Sequence, residues 1–280
     1  MKGGPALFKE LLLRMFRRLR HDDITAYAAQ ITFYIVLSLF PFLLLLTNIL
    51  SRLDFASFDL GSIFDMLRSS YVIPSAAIDV IESVFSEIKL VNNSLSLYIV
   101  VIIWSASRGV RAIMTGMQMC YRTRESRSLV VKFLLSFFYT ISFAIMIVLF
   151  LVLVFFGDWF GQLLFSFLRL NRLYIWIWNL FRYLTPVLFM LVTYLLLYRM
   201  IPNKPLKFRN VFIGALFATV ASFLVSQLFS FYVGRFANYS ALYGSISGII
   251  VIFLWLYFIS NILMLGVELN AVLYEMDEKP

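Results

Sequence analysis

Apolar positions gather into six long runs along the chain, at residues 26–50, 96–119, 133–156, 180–200, 211–232 and 243–273. A hydrocarbon core of about 30 Å needs about 20 apolar residues to be crossed by a helix, so each run predicts a spanning helix. The last run exceeds that minimum, which predicts tilt or emergence into water. Pro41 lies inside the first run and Pro186 inside the fourth. Each proline removes a backbone hydrogen bond to the residue four before it, so both predict kinks.

The intervening polar segments carry their own patterns. Leu7, Phe8, Leu11, Leu12, Met15, Phe16 and Leu19 recur at helical spacing, while Lys9, Arg14, Arg17, Arg18 and Arg20 fill most of the remaining positions. This predicts a cationic amphipathic helix that lies in the headgroup layer of an anionic leaflet. Residues 51–93 are polar enough to leave the membrane. Within them, after Pro74, the spacing of Ile78, Ile81, Val84, Phe85 and Ile88 predicts a second amphipathic helix, with Asp79, Glu82 and Glu87 on its wet face. Residues 158–179 hold Trp159, Tyr174, Trp176 and Trp178 and predict an interfacial connection, where amphipathic rings concentrate.

The expected fold is all-α, a polytopic integral membrane protein. It has three parts: an amphipathic basic helix over 1–25, a six-helix transmembrane domain over 26–273 with an extracytoplasmic insertion at 51–93, and a short tail over 274–280. Composition agrees, with 62% hydrophobic residues, 14% charged residues and a mean hydropathy of +0.89. A soluble domain has about 25% charged residues.

The net charge of +9 would suggest nucleic acid in a soluble protein. Here its distribution gives another reason. With both termini in the cytoplasm, the inner segments carry fifteen basic residues and the outer segments six. That asymmetry is the positive-inside pattern, so the partners expected are anionic membrane lipids and not nucleic acid. No cleavable signal peptide is apparent before the first run. With one cysteine, Cys120, and one histidine, His21, neither an internal disulfide nor a thiolate–imidazole metal cluster can form, and no cofactor is expected. Catalysis by a serine with a histidine base lacks its base in any span, so an enzyme is not expected.

Arg108 and Arg111 are the leading candidates for function. They sit three apart on one helical face inside the second run. An arginine in hydrocarbon costs at least about 2.5–3.5 kcal/mol, so two imply partners, a wet pocket or an anionic ligand. Glu268 and Asn270 lie in the inner half of the last run, and Gln30 and Thr32 in the inner half of the first. These place all six at similar expected depth. The reading is one polar substrate-binding cluster, with Glu268 paired to Arg108 or Arg111 and its protonation coupled to transport. Gly214, Ala218 and Ser222 repeat every four residues, as do Gly244 and Gly248. Such small-residue stripes let helices approach closely and offer a route to oligomers.

Several stretches together resemble the YihY/BrkB family of bacterial inner-membrane proteins. They are Ala28-Ala29, Thr32-Phe33-Tyr34, Ser38-Leu39-Phe40-Pro41, Trp104 to Val110, Pro202-Asn203, Gly214-Ala215, Tyr239, Tyr243-Gly244-Ser245, Trp255-Leu256-Tyr257 and Gly266 to Ala271. They extend in order over nearly the whole chain, and divergence is greatest at 51–93. The resemblance implies six membrane helices with both termini cytoplasmic, in a bacterial plasma membrane. The family also carries a ribonuclease label, for which these residues supply neither a soluble domain nor a histidine pair. The expected function is a permease or lipid-handling protein for an anionic substrate. The alternative is a structural or assembly factor of the envelope that transports nothing.

Overall fold

The computed structural model describes residues 4–21, 23–52, 61, 64–65, 67–68, 73–89, 99–123, 126–167, 171–204, 206–236 and 247–278. All regular structure among them is helical. The helices are α1 (Gly4–His21), α2 (Ile24–Arg52), α3 (Ser75–Lys89), α4 (Ile99–Cys120), α5 (Leu129–Phe167), α6 (Asn171–Met200), α7 (Phe208–Phe236) and α8 (Ser247–Glu278). Three stretches are long and apolar enough to cross a membrane by length and composition: Leu129–Phe150, Phe208–Val233 and Ile249–Asp277. Ile24–Leu39 and Leu184–Met200 are shorter apolar stretches.

One expectation about a connection changes. The aromatic segment 158–179 is helical over most of its length, because α5 continues to Phe167 and α6 starts at Asn171. At 1.5 Å per residue the 39 residues of α5 reach about 58 Å, well beyond a hydrocarbon core. Pro41 and Pro186 both lie inside continuous helices, so neither proline ends its element.

The amphipathic α3 forms where its spacing predicts. Ala77 and Ile78 are fully buried, and Asp79 is exposed. Its inner face joins two apolar clusters, one with Leu43, Leu46 and Val148, the other with Phe229, Val251, Ile252 and Trp255. On its polar side, Arg68 binds Asp65, Asp79 and Glu82. Hydrogen bonds to Asp79 and Glu82 raise the Arg68 pKa above its ordinary value.

The main core lies where α2, α4, α6, α7 and α8 meet, around Ile31, Met114, Met117, Tyr198, Val211 and Met264. Gly214 and Gly266 set its tightest crossing. A Cβ on Gly214 would overlap the Gly266 carbonyl and the Asn270 amide, and one on Gly266 would overlap the Tyr198 hydroxyl. Ala218 and Ser222 continue this buried face, and the Tyr194 and Ser222 hydroxyls bond at 2.7 Å. The small-residue stripe is therefore filled from within the chain by α6 and α8. Gly244 lies outside the described residues, and nothing is described around Gly248.

Gly214→Ala should lower the thermal midpoint of the purified protein by the equivalent of about 1–3 kcal/mol, the usual cost of overpacking a core. Gly116→Ala is the comparison, because its nearest obstacle is the flexible Met264 thioether at 2.9 Å. Equal midpoints for the two variants would remove the crossing from its structural role.

Candidate functional site

The expected six-residue cluster separates into distinct centres. Glu268 is fully buried, and its Oε1 accepts a hydrogen bond from Arg18 at 2.8 Å. Arg18 belongs to α1, the helix that the sequence assigns to headgroup anchoring. The same guanidinium donates to the Cys120 carbonyl at 3.2 Å and pairs with Glu275. The expected pairing of Glu268 with Arg108 or Arg111 is thus replaced by one with Arg18.

Helix register explains the replacement. Gly116 packs against Met264, and Arg18 bridges the carbonyl of Cys120 and the side chain of Glu268. Four residues on α4 therefore match four on α8, so the two helices run parallel and in step. Arg111 and Arg108 lie nine and twelve residues before Cys120. At 1.5 Å per residue that is about 13 and 18 Å from the level of Glu268, beyond the reach of an arginine.

Asn270 is separated from Glu268 by angle instead of depth. Two residues rotate about 200° on a helix, so the two side chains leave opposite faces. Asn270 accepts from the Gly214 amide at 2.8 Å and donates to the Val211 carbonyl at 3.2 Å, fastening α8 to α7. Thr32 bonds Ser260 at 3.0 Å and also the carbonyl of Ala28, fastening α2 to α8 two turns from Glu268. Gln30 is exposed and joins none of these groups.

Arg108 and Arg111 form a second centre on the seam between α4 and α5. Arg111 donates to the Ser107 hydroxyl at 2.6 Å and the Ser136 hydroxyl at 3.2 Å, and stands 5.5 Å from the centre of the Phe133 ring. Arg108 stacks 4.5 Å above the Trp104 ring. Both are half-buried, and neither meets a carboxylate among the described residues. One turn along, Lys132 donates to Thr115 at 3.3 Å, which places a third cation on the same seam.

The Arg18 centre closes the α1 end of the bundle. Burial alone would lower the Arg18 pKa, but the bonds and charges of Glu268 and Glu275 outweigh it and raise the value, so the guanidinium stays charged. Beside it, Tyr121 is buried with no hydrogen-bond partner for its hydroxyl among the described residues. Burial and the neighbouring Cys120 and Glu268 push its pKa up, so it remains a phenol. Lys204 stands 3.9 Å over the Tyr274 ring at the rim. No group of three His, Cys, Asp or Glu side chains is placed to hold a metal among the described residues.

Two signals for this centre were present in the sequence. Glu268 and Glu275 are seven apart, which puts them on one helical face. Arg18 follows Leu11 and Met15 at spacings of four and three, so it is a charge on an apolar stripe. In the structure that stripe turns inward, while Leu12, Leu13 and Phe16 are exposed.

Arg18→Ala would leave Glu268 charged and buried without its cation, and should cost about 3–5 kcal/mol of stability. Adding Glu268→Gln should recover part of that loss, because the two side chains share one interaction. Thermal midpoints of the two single variants and the double variant check this. Strictly additive losses would refute the coupling.

The family Virulence factor BrkB matches residues 15–280. The ribonuclease-like protein YfkH of Bacillus subtilis (strain 168) is 35% identical over 271 residues, covering 96% of this chain and 97% of that protein. A UPF0761 membrane protein of Tolumonas auensis is 26% identical over 267 residues, covering 93% and 84%. One from Aeromonas salmonicida is 39% identical over 95 residues, covering 34% and 32%. No solved structure matches the chain. The match over nearly the whole length, with the apolar helices above, makes this a membrane protein of the virulence factor BrkB family.

Proposed function

We propose that the chain is a six-span protein of the bacterial plasma membrane, a permease or lipid-handling protein that receives an anionic group at Arg108 and Arg111. The spans are α2, α4, α5, α6, α7 and α8, with both termini in the cytoplasm and α3 in the extracytoplasmic connection. The charge asymmetry of the loops supports that orientation. Leu12, Leu13 and Phe16, exposed on α1 beside Lys9 and Arg17, suit a helix resting in the cytoplasmic headgroup layer.

The observation that carries the reading is the α4–α5 seam. Two half-buried guanidinium groups stand among apolar helices and are met by hydroxyls and rings, which solvate a cation without neutralising it. An entering phosphate or carboxylate would supply the missing charge through bidentate hydrogen bonds. Arg18, Glu268 and Glu275 serve as a closure of the cytoplasmic end in this scheme, and Glu268 has no part in binding the substrate. The mechanism requires no enzymatic step.

A non-transporting envelope factor is the second reading. It is favoured by the permanence of the α7–α8 crossing at Gly214 and Gly266, which leaves these two helices no room to slide.

Flux in sealed vesicles, measured against a panel of anionic lipids and small anions, tests the first reading. Arg108→Ala and Arg111→Ala should each reduce flux of the transported species about tenfold, equivalent to about 1.4 kcal/mol. Undiminished flux in both variants would end the assignment of the seam, and no flux of any species by wild type would leave the envelope-factor reading.

A further inference from the structure

An apolar feature lies on the α6 side of α5, on the face next to the one that meets α4. Between α5 and α6 is a cleft of about 190 Å³, room for several methylenes. Its walls include Tyr139, Phe143, Met146, Leu196, Leu197 and Met200, most of them half-buried. Two contacts bound the cleft. At the α1 end the Tyr139 hydroxyl donates to the Met200 carbonyl at 2.8 Å. One turn beyond its other end, past Met146 and Thr193, the rings of Phe150 and Phe189 meet with centroids 4.2 Å apart.

The two contacts are eleven residues apart on each helix, from Tyr139 to Phe150 and from Phe189 to Met200. Eleven residues rise about 16 Å. Half of a hydrocarbon core of about 30 Å is about 15 Å. The cleft's own walls run from Tyr139 to Met146 and from Thr193 to Ile201, about 10–12 Å, so it takes up most of the depth of one leaflet. Its polar wall groups are few, and the Thr193 hydroxyl is already bonded to the Phe189 carbonyl. An apolar slot of this length beside a bilayer suits a fatty acyl chain.

The α1 end of the slot supplies charge. The Asn203 amide donates to the Ser126 hydroxyl at 2.8 Å, which holds the loop after α4 against the turn after α6. Arg127 follows in that loop, within electrostatic range of the Tyr139 hydroxyl. A headgroup phosphate above the slot would lie beside this guanidinium.

We propose that the α5–α6 cleft binds one acyl chain of an anionic phospholipid from the leaflet at the α1 end, with its phosphate at Arg127. This rests on the reading that the α1 end faces the cytoplasmic leaflet, but not on transport. The site is separate from Arg108 and Arg111, which belong to α4 and line no part of the cleft.

The test uses the full chain in nanodiscs containing phosphatidylglycerol and phosphatidylcholine, with a trace of phosphatidylglycerol bearing a photoreactive acyl chain. Cross-links should concentrate on residues 139–146 and 193–201 and exceed those on the α7 face at Leu216, Val220 and Leu224 severalfold. Native mass spectrometry of the delipidated protein should find about one tightly retained phosphatidylglycerol. Leu197→Trp should reduce that retention about tenfold, and Arg127→Gln should abolish the preference over phosphatidylcholine while keeping the cross-link positions.

Cross-links spread evenly over α5, α6 and α7 would overturn the proposal. So would unchanged retention in a folded Leu197→Trp variant, or a Ser142→Cys variant forming inter-chain cross-links, which would assign the cleft to a second copy. If Leu197→Trp fails to fold, the wild-type cross-link map still decides. A protein that transports nothing and yet retains this lipid would refute the permease reading and leave the present one standing.

Discussion

A guanidinium withdrawn from water must meet fixed negative charge, and at Arg18 that requirement organises one whole end of the molecule. Glu268 and Glu275 come from α8, and the Cys120 carbonyl is one of the last of α4, where the helix dipole is negative. A single side chain thus ties three helices at one level. Reaching that position requires α1 to fold back over the bundle directly before α2. Asp23 makes the corner with φ 41°, a left-handed conformation that aspartate tolerates better than most residues. The end of α4 is shaped similarly, with Arg122 at φ 51° and the Thr123 amide bonded to the Gln118 carbonyl.

The same parallel register that lets Arg18 bridge α4 and α8 separates the charges of the bundle into two levels. Glu268 is neutralised at the α1 end of the bundle, where Arg18 is available. Arg108 and Arg111 lie further from that end, where among the described residues hydroxyls and aromatic faces reach them. A carboxylate at their level would have formed an internal ion pair and closed the site to anions. The distance of about 13–18 Å between the centres is therefore what leaves the α4–α5 seam electrostatically open in this scheme.

Much of the architecture was legible because lipid imposes simple rules on composition. Apolar length marked the helices, and the period of Ile78 and Ile81 marked α3 with its inward face. Gly214, Ala218 and Ser222 were legible as a packing face, although their partners, α6 and α8, were not. The depth of polar residues was misjudged for a physical reason. Fractional position along a run gives depth only if runs are equally long, and the run of α8 extends well past the level where that of α4 ends. Asn270 was misassigned because proximity in sequence was taken over helical angle. Arg18 was hidden among five neighbouring cations, and only its place on the Leu11–Met15 stripe distinguished it.

The ties between helices are also unequal, and that bears on where the bundle can change shape. α8 is held to α7 by Asn270 and by a 3.0 Å bond from the Trp255 indole to Ser226, to α6 by Tyr198, and to α2 by Thr32. Each of these bonds lies in a core where a lost partner would find no water. Among the described side chains, the ties between α5 and α6 are one phenol–carbonyl bond and one pair of rings, with the cleft between them. Parting the described parts of α5 and α6 in lipid exposes apolar walls to a solvent as apolar as themselves, so there it forfeits little beyond that one hydrogen bond. Rearrangement is therefore cheapest at the α5 side of the molecule. That side also carries the Arg108–Arg111 seam, so one moving helix would alter both the cationic seam and the acyl-chain cleft while the α7–α8 crossing stayed fixed.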